Sequence, residues 1–150
     1  MVDNEERHIG KILRILSNLI RRKVENELNQ SGIEVTSSQA RIIGFLHRQT
    51  QIRNVYQRDI EEEFDIRRSS VTNTLQLLEK SGYIQRVSVE EDARLKKILL
   101  TEKGIGVHEV IRKSILEVEG ELNSVYTIEE LKELFYLLDK LYVVLEENDS

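Results

Sequence analysis

Apolar residues recur at helical spacing along nearly the whole chain, and the pattern changes only between Tyr83 and Leu100. There, Tyr83-Ile-Gln-Arg-Val-Ser-Val89 is rich in β-branched residues with partial alternation, which predicts a strand. Glu90-Glu-Asp-Ala-Arg94 reads as a charged turn, and a second strand ends at Ile98-Leu-Leu100. The expected fold class is therefore mainly α with a small β-hairpin.

The helices can be bounded from local chemistry. From about Glu5 to Asn29, Ile9, Ile12, Leu13, Leu16, Leu19, Ile20, Val24 and Leu28 form a stripe of period 3.6, longer than a small core needs. Thr36 and Gln39 have capping-box spacing before a helix through Ile42, Ile43, Phe45 and Leu46. Two short helical patterns follow, about Tyr56 to Phe64 and about Ser69 to Lys80, the second stopped by Ser81-Gly82. After the hairpin, Thr101 is a plausible cap for a long helix. Thr127 and Glu130 form another capping box, opening a last helix. The chain has no proline to interrupt these helices.

Composition removes whole classes of chemistry. With no cysteine, disulfides, thiol sensing, thiol nucleophiles and Cys-ligated zinc are excluded. No apolar run approaches the roughly 18 residues of a membrane span, and Met1 to Arg7 is polar and acidic, unlike a signal peptide. A cytoplasmic protein with no membrane partner is expected. The formal net charge of −5 argues, taken alone, against a nucleic-acid partner. Its distribution argues otherwise: residues 101–150 carry 5 basic and 12 acidic side chains, whereas residues 66–97 carry 7 basic and 4 acidic.

Two short helices followed at once by a hairpin form a winged helix-turn-helix pattern, whose second helix suits the major groove of DNA and whose hairpin reaches toward the minor groove. With Val71, Leu75 and Leu78 facing the core, Ser69, Asn73, Gln76 and Lys80 point away from it, with Thr72 at the flank. That outer face is short, hydrogen-bonding and free of acids. Ser69, Ser70, Thr72, Asn73 and Gln76 are the candidates for the major groove. Arg67 and Arg68 stand just before the helix N-terminus, itself attractive to phosphate. At the hairpin tip, Asp92 and Arg94 share one side of an extended strand, so the carboxylate is expected to fix the guanidinium and aim it outward, into a narrow minor groove. Lys96, Lys97 and Arg86 complete the candidate DNA-binding set.

The chain resembles the MarR (multiple antibiotic resistance regulator) family. The matching runs are Ile66-Arg-Arg-Ser-Ser-Val-Thr-Asn-Thr-Leu75, Leu78-Glu-Lys-Ser-Gly-Tyr-Ile-Gln-Arg86, Asp92-Ala-Arg-Leu-Lys-Lys97 and Leu99-Leu-Thr-Glu-Lys-Gly104. They look like the family's recognition helix, its Leu-Glu-x-x-Gly turn, the Asp-x-Arg wing and the Leu-Thr-x-x-Gly entry to the next helix. Arg67 departs from the pattern, standing where many relatives carry a short polar or acidic capping residue.

The resemblance implies a homodimer built on residues 1–32 and 102–150, flanking a DNA-binding winged helix-turn-helix at 33–101. It also implies a transcriptional repressor that reads a pseudo-palindromic operator on double-stranded DNA and is released by a small aromatic or phenolic ligand. The surplus apolar stripes are consistent with a partner copy. An alternative is a winged-helix protein-interaction module, such as an anti-repressor, with no DNA binding.

Catalysis is not expected. No nucleophile elbow or Gly-rich phosphate loop occurs, and His8, His47 and His108 sit in unrelated segments without an i, i+4 pair. Glu61-Glu-Glu63 points in different directions around a helix and cannot chelate. No cofactor is expected and no metal site is assigned; a His/carboxylate metal site stays open without a motif to support it, and no motif marks an effector pocket.

Overall fold

Local capping sets most element boundaries in the computed structural model, which describes residues 7–147. Helices α1 (Ile9–Gln30), α2 (Ser37–Gln49), α3 (Gln57–Phe64) and α4 (Arg68–Lys80) come first. Strands β1 (Ile84–Val89) and β2 (Asp92–Leu100) follow, then helices α5 (Glu102–Ser124) and α6 (Ile128–Glu147). The start of α1 expected at about Glu5, like the polar segment Met1 to Glu6, lies outside the described residues.

Thr36 and Gln39 close the α2 capping box reciprocally: the Gln39 N–H donates to Thr36 Oγ1 at 3.2 Å and the Thr36 N–H to Gln39 Oε1 at 2.9 Å. Thr127 and Glu130 do the same for α6, at 3.2 and 2.8 Å. Helix α4 ends on Gly82, whose φ of +78° lets the Tyr83 N–H turn back to the Leu78 carbonyl at 2.9 Å. Because Tyr83 is used in this way, β1 begins one residue later than its β-propensity suggests, at Ile84.

Strands β1 and β2 pair antiparallel from Ile84↔Leu100 to Ser88↔Lys96, and the register then jumps to Val89↔Asp92. Ala93, Arg94 and Leu95 are thereby left outside the ladder. The turn is shorter than the expected Glu90 to Arg94, since β2 already starts at Asp92. The Ile98 N–H also donates to the Val55 carbonyl at 2.8 Å, so the segment between α2 and α3 is pinned to the hairpin.

Two compact units divide the chain between Ser114 and Ile115, inside α5. In the first, the core joins Leu28 of α1, Ile42, Ile43 and Leu46 of α2, Ile60 of α3, Val71, Leu75 and Leu78 of α4, Ile84 and Ile98 of the hairpin, and Val107 and Ile111 of α5. The first unit therefore extends past residue 101, because Val107 and Ile111 repeat at i, i+4 and bury one face of α5. In the second unit, α6 leaves Phe135, Tyr142 and Leu145 exposed. Among the described residues, no helix is long and apolar enough to cross a membrane.

Candidate nucleic-acid interface

Burial on α4 follows the period of the helix. Val71, Leu75 and Leu78 are at most 1% exposed, while Arg67, Arg68, Ser69, Ser70, Asn73, Gln76 and Lys80 are exposed. Leu77, more than half exposed, adds an apolar patch beside Gln76. Sequence periodicity did not single it out, because it sits in a Leu-rich run shared with the core face.

The N-terminus of α4 is unusually open. Arg67 occupies the N-cap position without a side-chain cap, so the first N–H groups of the helix have no competing acceptor from that residue. A phosphate placed there meets the helix dipole together with two guanidinium groups.

Thr72 and Arg86, both among the expected DNA contacts, hold the interface together from within. Gln57 of α3 donates to Thr72 Oγ1 at 2.8 Å, and Thr72 Oγ1 donates to the Arg68 carbonyl at 2.9 Å. The Thr72 hydroxyl proton is thus used inside the protein, and Gln57 becomes the brace between α3 and α4. The Gln57 side chain also donates to Glu61 Oε1 at 3.0 Å, which fixes its orientation. Nothing in the spacing of Gln57 and Thr72 signals this contact, which needs two helices to meet.

Arg86 of β1 donates twice to Glu79 Oε2 of α4, from Nη2 at 2.7 Å and from Nε at 3.2 Å. Glu79 is the one acid in α4, and Arg86 neutralises it. Hydrogen bonding to Arg86, above all, holds the Glu79 carboxyl below its usual range. A depressed carboxylate pKa stabilises the fold above the ordinary glutamate value, and that contribution is lost as pH falls through the lower folded value. Both side chains are partly exposed, so the pair is worth under about 1 kcal/mol. Glu79→Gln is expected to lower the thermal midpoint slightly at pH 7 and by less in acid, as the wild-type carboxylate is protonated, in melts at both pH values.

The hairpin tip is organised differently from the expected carboxylate–guanidinium pair. Asp92 Oδ1 accepts from the Arg94 backbone N–H at 2.9 Å. Arg94 is the central residue of the three outside the ladder, so Asp92 supplies the acceptor that the opposite strand does not. The guanidinium itself is left exposed at the tip. Among the described residues, Arg67, Arg68, Arg94, Lys96 and Lys97 form no ion pair. All are exposed except Lys97, which is half-buried. Two of these five cations stand at the start of α4 and three on the hairpin, beside a short polar helix face and a neutralised acid.

Residues 31–95, which span α2 to the hairpin tip, match the family model described as MarR family. The fold is similar to that of MepR, a transcription regulator of the Staphylococcus aureus multidrug efflux pump MepA. The TM-score is 0.77 at 27% identity, covering 93% of this chain and 99% of that one. The matched segment is a MarR-family winged helix-turn-helix. In this MarR fold, α3 and α4 are the helix-turn-helix and β1–β2 is its wing.

MepR has also been solved as a DNA complex, again at TM-score 0.77 and 27% identity over 93% of this chain and 99% of that one. Among curated relatives, the HTH-type transcriptional regulator BilQ of Clostridioides difficile is 28% identical over 55% of this chain and 55% of its own length. The chain thus spans about half the length of that relative. YwoH of Bacillus subtilis, an uncharacterized HTH-type transcriptional regulator, is 28% identical over 91% of this chain and 95% of its own. Both relatives are named as HTH-type transcriptional regulators, not as enzymes.

Proposed function

We propose that the chain is a dimeric, cytoplasmic, sequence-specific DNA-binding regulator that represses transcription from a pseudo-palindromic operator. The observation that carries this is the tip of the wing, where Asp92 grips the backbone of Arg94 and leaves its guanidinium exposed. A guanidinium presented on a protruding ribbon suits the negative potential of a narrow minor groove. Ser69, Ser70, Asn73 and Gln76 would face base edges in the major groove, and Leu77 is an apolar group for a thymine methyl. Arg67, Arg68, Lys96 and Lys97 would take phosphates. Thr72 and Arg86 act from behind, through Gln57 and Glu79. The DNA complex of the similar MepR supports the same partner for this chain.

Dimerisation rests on exposed apolar faces. Ile9, Leu16 and Leu19 of α1, and Ile128, Phe135 and Tyr142 of α6, are exposed in one copy, more apolar surface than a monomer usually leaves in water. A two-fold dimer sets two recognition helices about 34 Å apart, one turn of DNA.

The test is selection of bound fragments from random duplex DNA, followed by binding at several salt concentrations. With four phosphate-contacting cations in each of two protomers, the slope of log K against log salt is expected near about −7. Absence of salt-dependent binding to any DNA would instead favour a protein-interaction winged helix. Release by a small aromatic or phenolic ligand is checked by adding such compounds to the selected complex; a true effector binds the free and DNA-bound forms with different affinity.

A further inference from the structure

The fold brings together two histidines that are far apart in sequence. His47 lies in the last turn of α2 and His108 in the second turn of α5, and their rings stack with centroids 3.9 Å apart and 19° between planes. Glu109, next to His108, adds a carboxylate. One ligand atom from each of the three lies within 4.8 Å of the other two. His108 Nδ1 is buried and, among the described residues, has no hydrogen-bond partner. All three belong to the same compact unit.

We propose that His47, His108 and Glu109 form a binding site for a divalent transition cation of the zinc class. Tetrahedral coordination at about 2.0–2.2 Å places ligand atoms roughly 3.3 Å from one another, so the stacked rings must turn out of their near-parallel arrangement to aim their in-plane lone pairs at one ion. Two imidazole nitrogens and one carboxylate oxygen suit zinc, nickel or copper and not magnesium or calcium, and they leave a fourth position for water. Metal binds the neutral imidazole. Burial, and then the neighbouring His47, hold the basicity of His108 below the usual imidazole range. Arg112 and Arg48 push the same way, and Glu109 opposes them. The two arginines disfavour a dication as well, and the Glu109 carboxylate offsets part of their charge. Bound metal would clamp the first half of α5 to α2, which packs in the winged-helix core. The site stands independently of the DNA-binding proposal.

The experiment is titration of the metal-free full-length protein with zinc against a chromophoric chelator. One zinc per protomer at micromolar affinity or tighter is expected. His47→Ala and His108→Ala should each weaken binding by about 100-fold or more, and Glu109→Gln by about 10-fold or more, since even an outer-shell partner is worth 10- to 100-fold. His8→Ala, at the exposed start of α1, should leave binding unchanged. Cobalt added to the wild-type protein should develop the visible absorption of a tetrahedral ion, a readout that needs no variant to fold. Failure to bind zinc at micromolar concentration, affinity unaltered by His47→Ala or His108→Ala, or an octahedral cobalt spectrum would each overturn the site.

Discussion

Arg94→Ala is expected to weaken operator binding by about 100-fold at fixed salt while leaving the melting curve and the dimer unchanged. A well-placed arginine contact to DNA is worth about 1–3 kcal/mol. Each dimer presents two wings, so a value near the lower end of that range, counted twice, gives roughly two decades in affinity. Arg94 makes no ion pair among the described residues, and its side chain is exposed, so its truncation removes nothing from the fold. Asp92→Ala should also weaken binding, by a smaller factor, because it takes away the acceptor that holds the Arg94 backbone at 2.9 Å. Fluorescence anisotropy on the selected operator at one salt concentration measures both. Affinity for Arg94→Ala within twofold of wild type would remove the wing from the interface.

Gly104→Ala is expected to destabilise the protein by about 2–3 kcal/mol, a fall of roughly 5–10 °C in the thermal midpoint. The cause is a close approach of backbone to backbone. A Cβ at position 104 would land on the Tyr83 carbonyl oxygen and lie 3.1 Å from Leu100 Cδ2. The turn has little room to retreat. Thr101 Oγ1 donates to the Gly82 carbonyl at 2.5 Å, the Thr101 N–H to the Tyr83 carbonyl at 3.1 Å, and Lys103 Nζ to the Ser81 carbonyl at 2.8 Å. The Thr101 hydroxyl also accepts from the Gly104 N–H at 3.0 Å, which caps α5. The Leu-Thr-x-x-Gly run is therefore a joint between the end of α4, the wing and α5, and glycine is required where the two backbones touch. Thermal denaturation at matched protomer concentration checks this. A Gly104→Ala protein as stable as wild type would contradict the close approach.

Element order and most boundaries were legible in the sequence because they depend on neighbours within one turn. Thr36 with Gln39, Thr127 with Glu130, and Gly82 after Lys80 act over three or four residues, and such spacing is visible in a string of letters. The exposed face of α4 was legible for the same reason, since three buried positions fix where the others point. The tip of the wing was legible in composition but not in geometry. Asp92 and Arg94 stand two apart, and strand alternation suggests contact between their side chains. The register jump after Ser88 breaks that alternation and turns the carboxylate to the backbone instead.

What the sequence by itself determined is the class of the fold and the face that meets the solvent on α4, both from local periodicity, while short motifs carried the resemblance to the MarR family. Only the tertiary structure decided which polar side chains remain available. It commits Thr72 to Gln57 and Arg86 to Glu79, and it stacks His47 on His108 beside Glu109. Each of these contacts joins two different elements. Its existence depends on how helices and hairpin pack around the shared core, a long-range outcome that residue spacing along the chain does not encode.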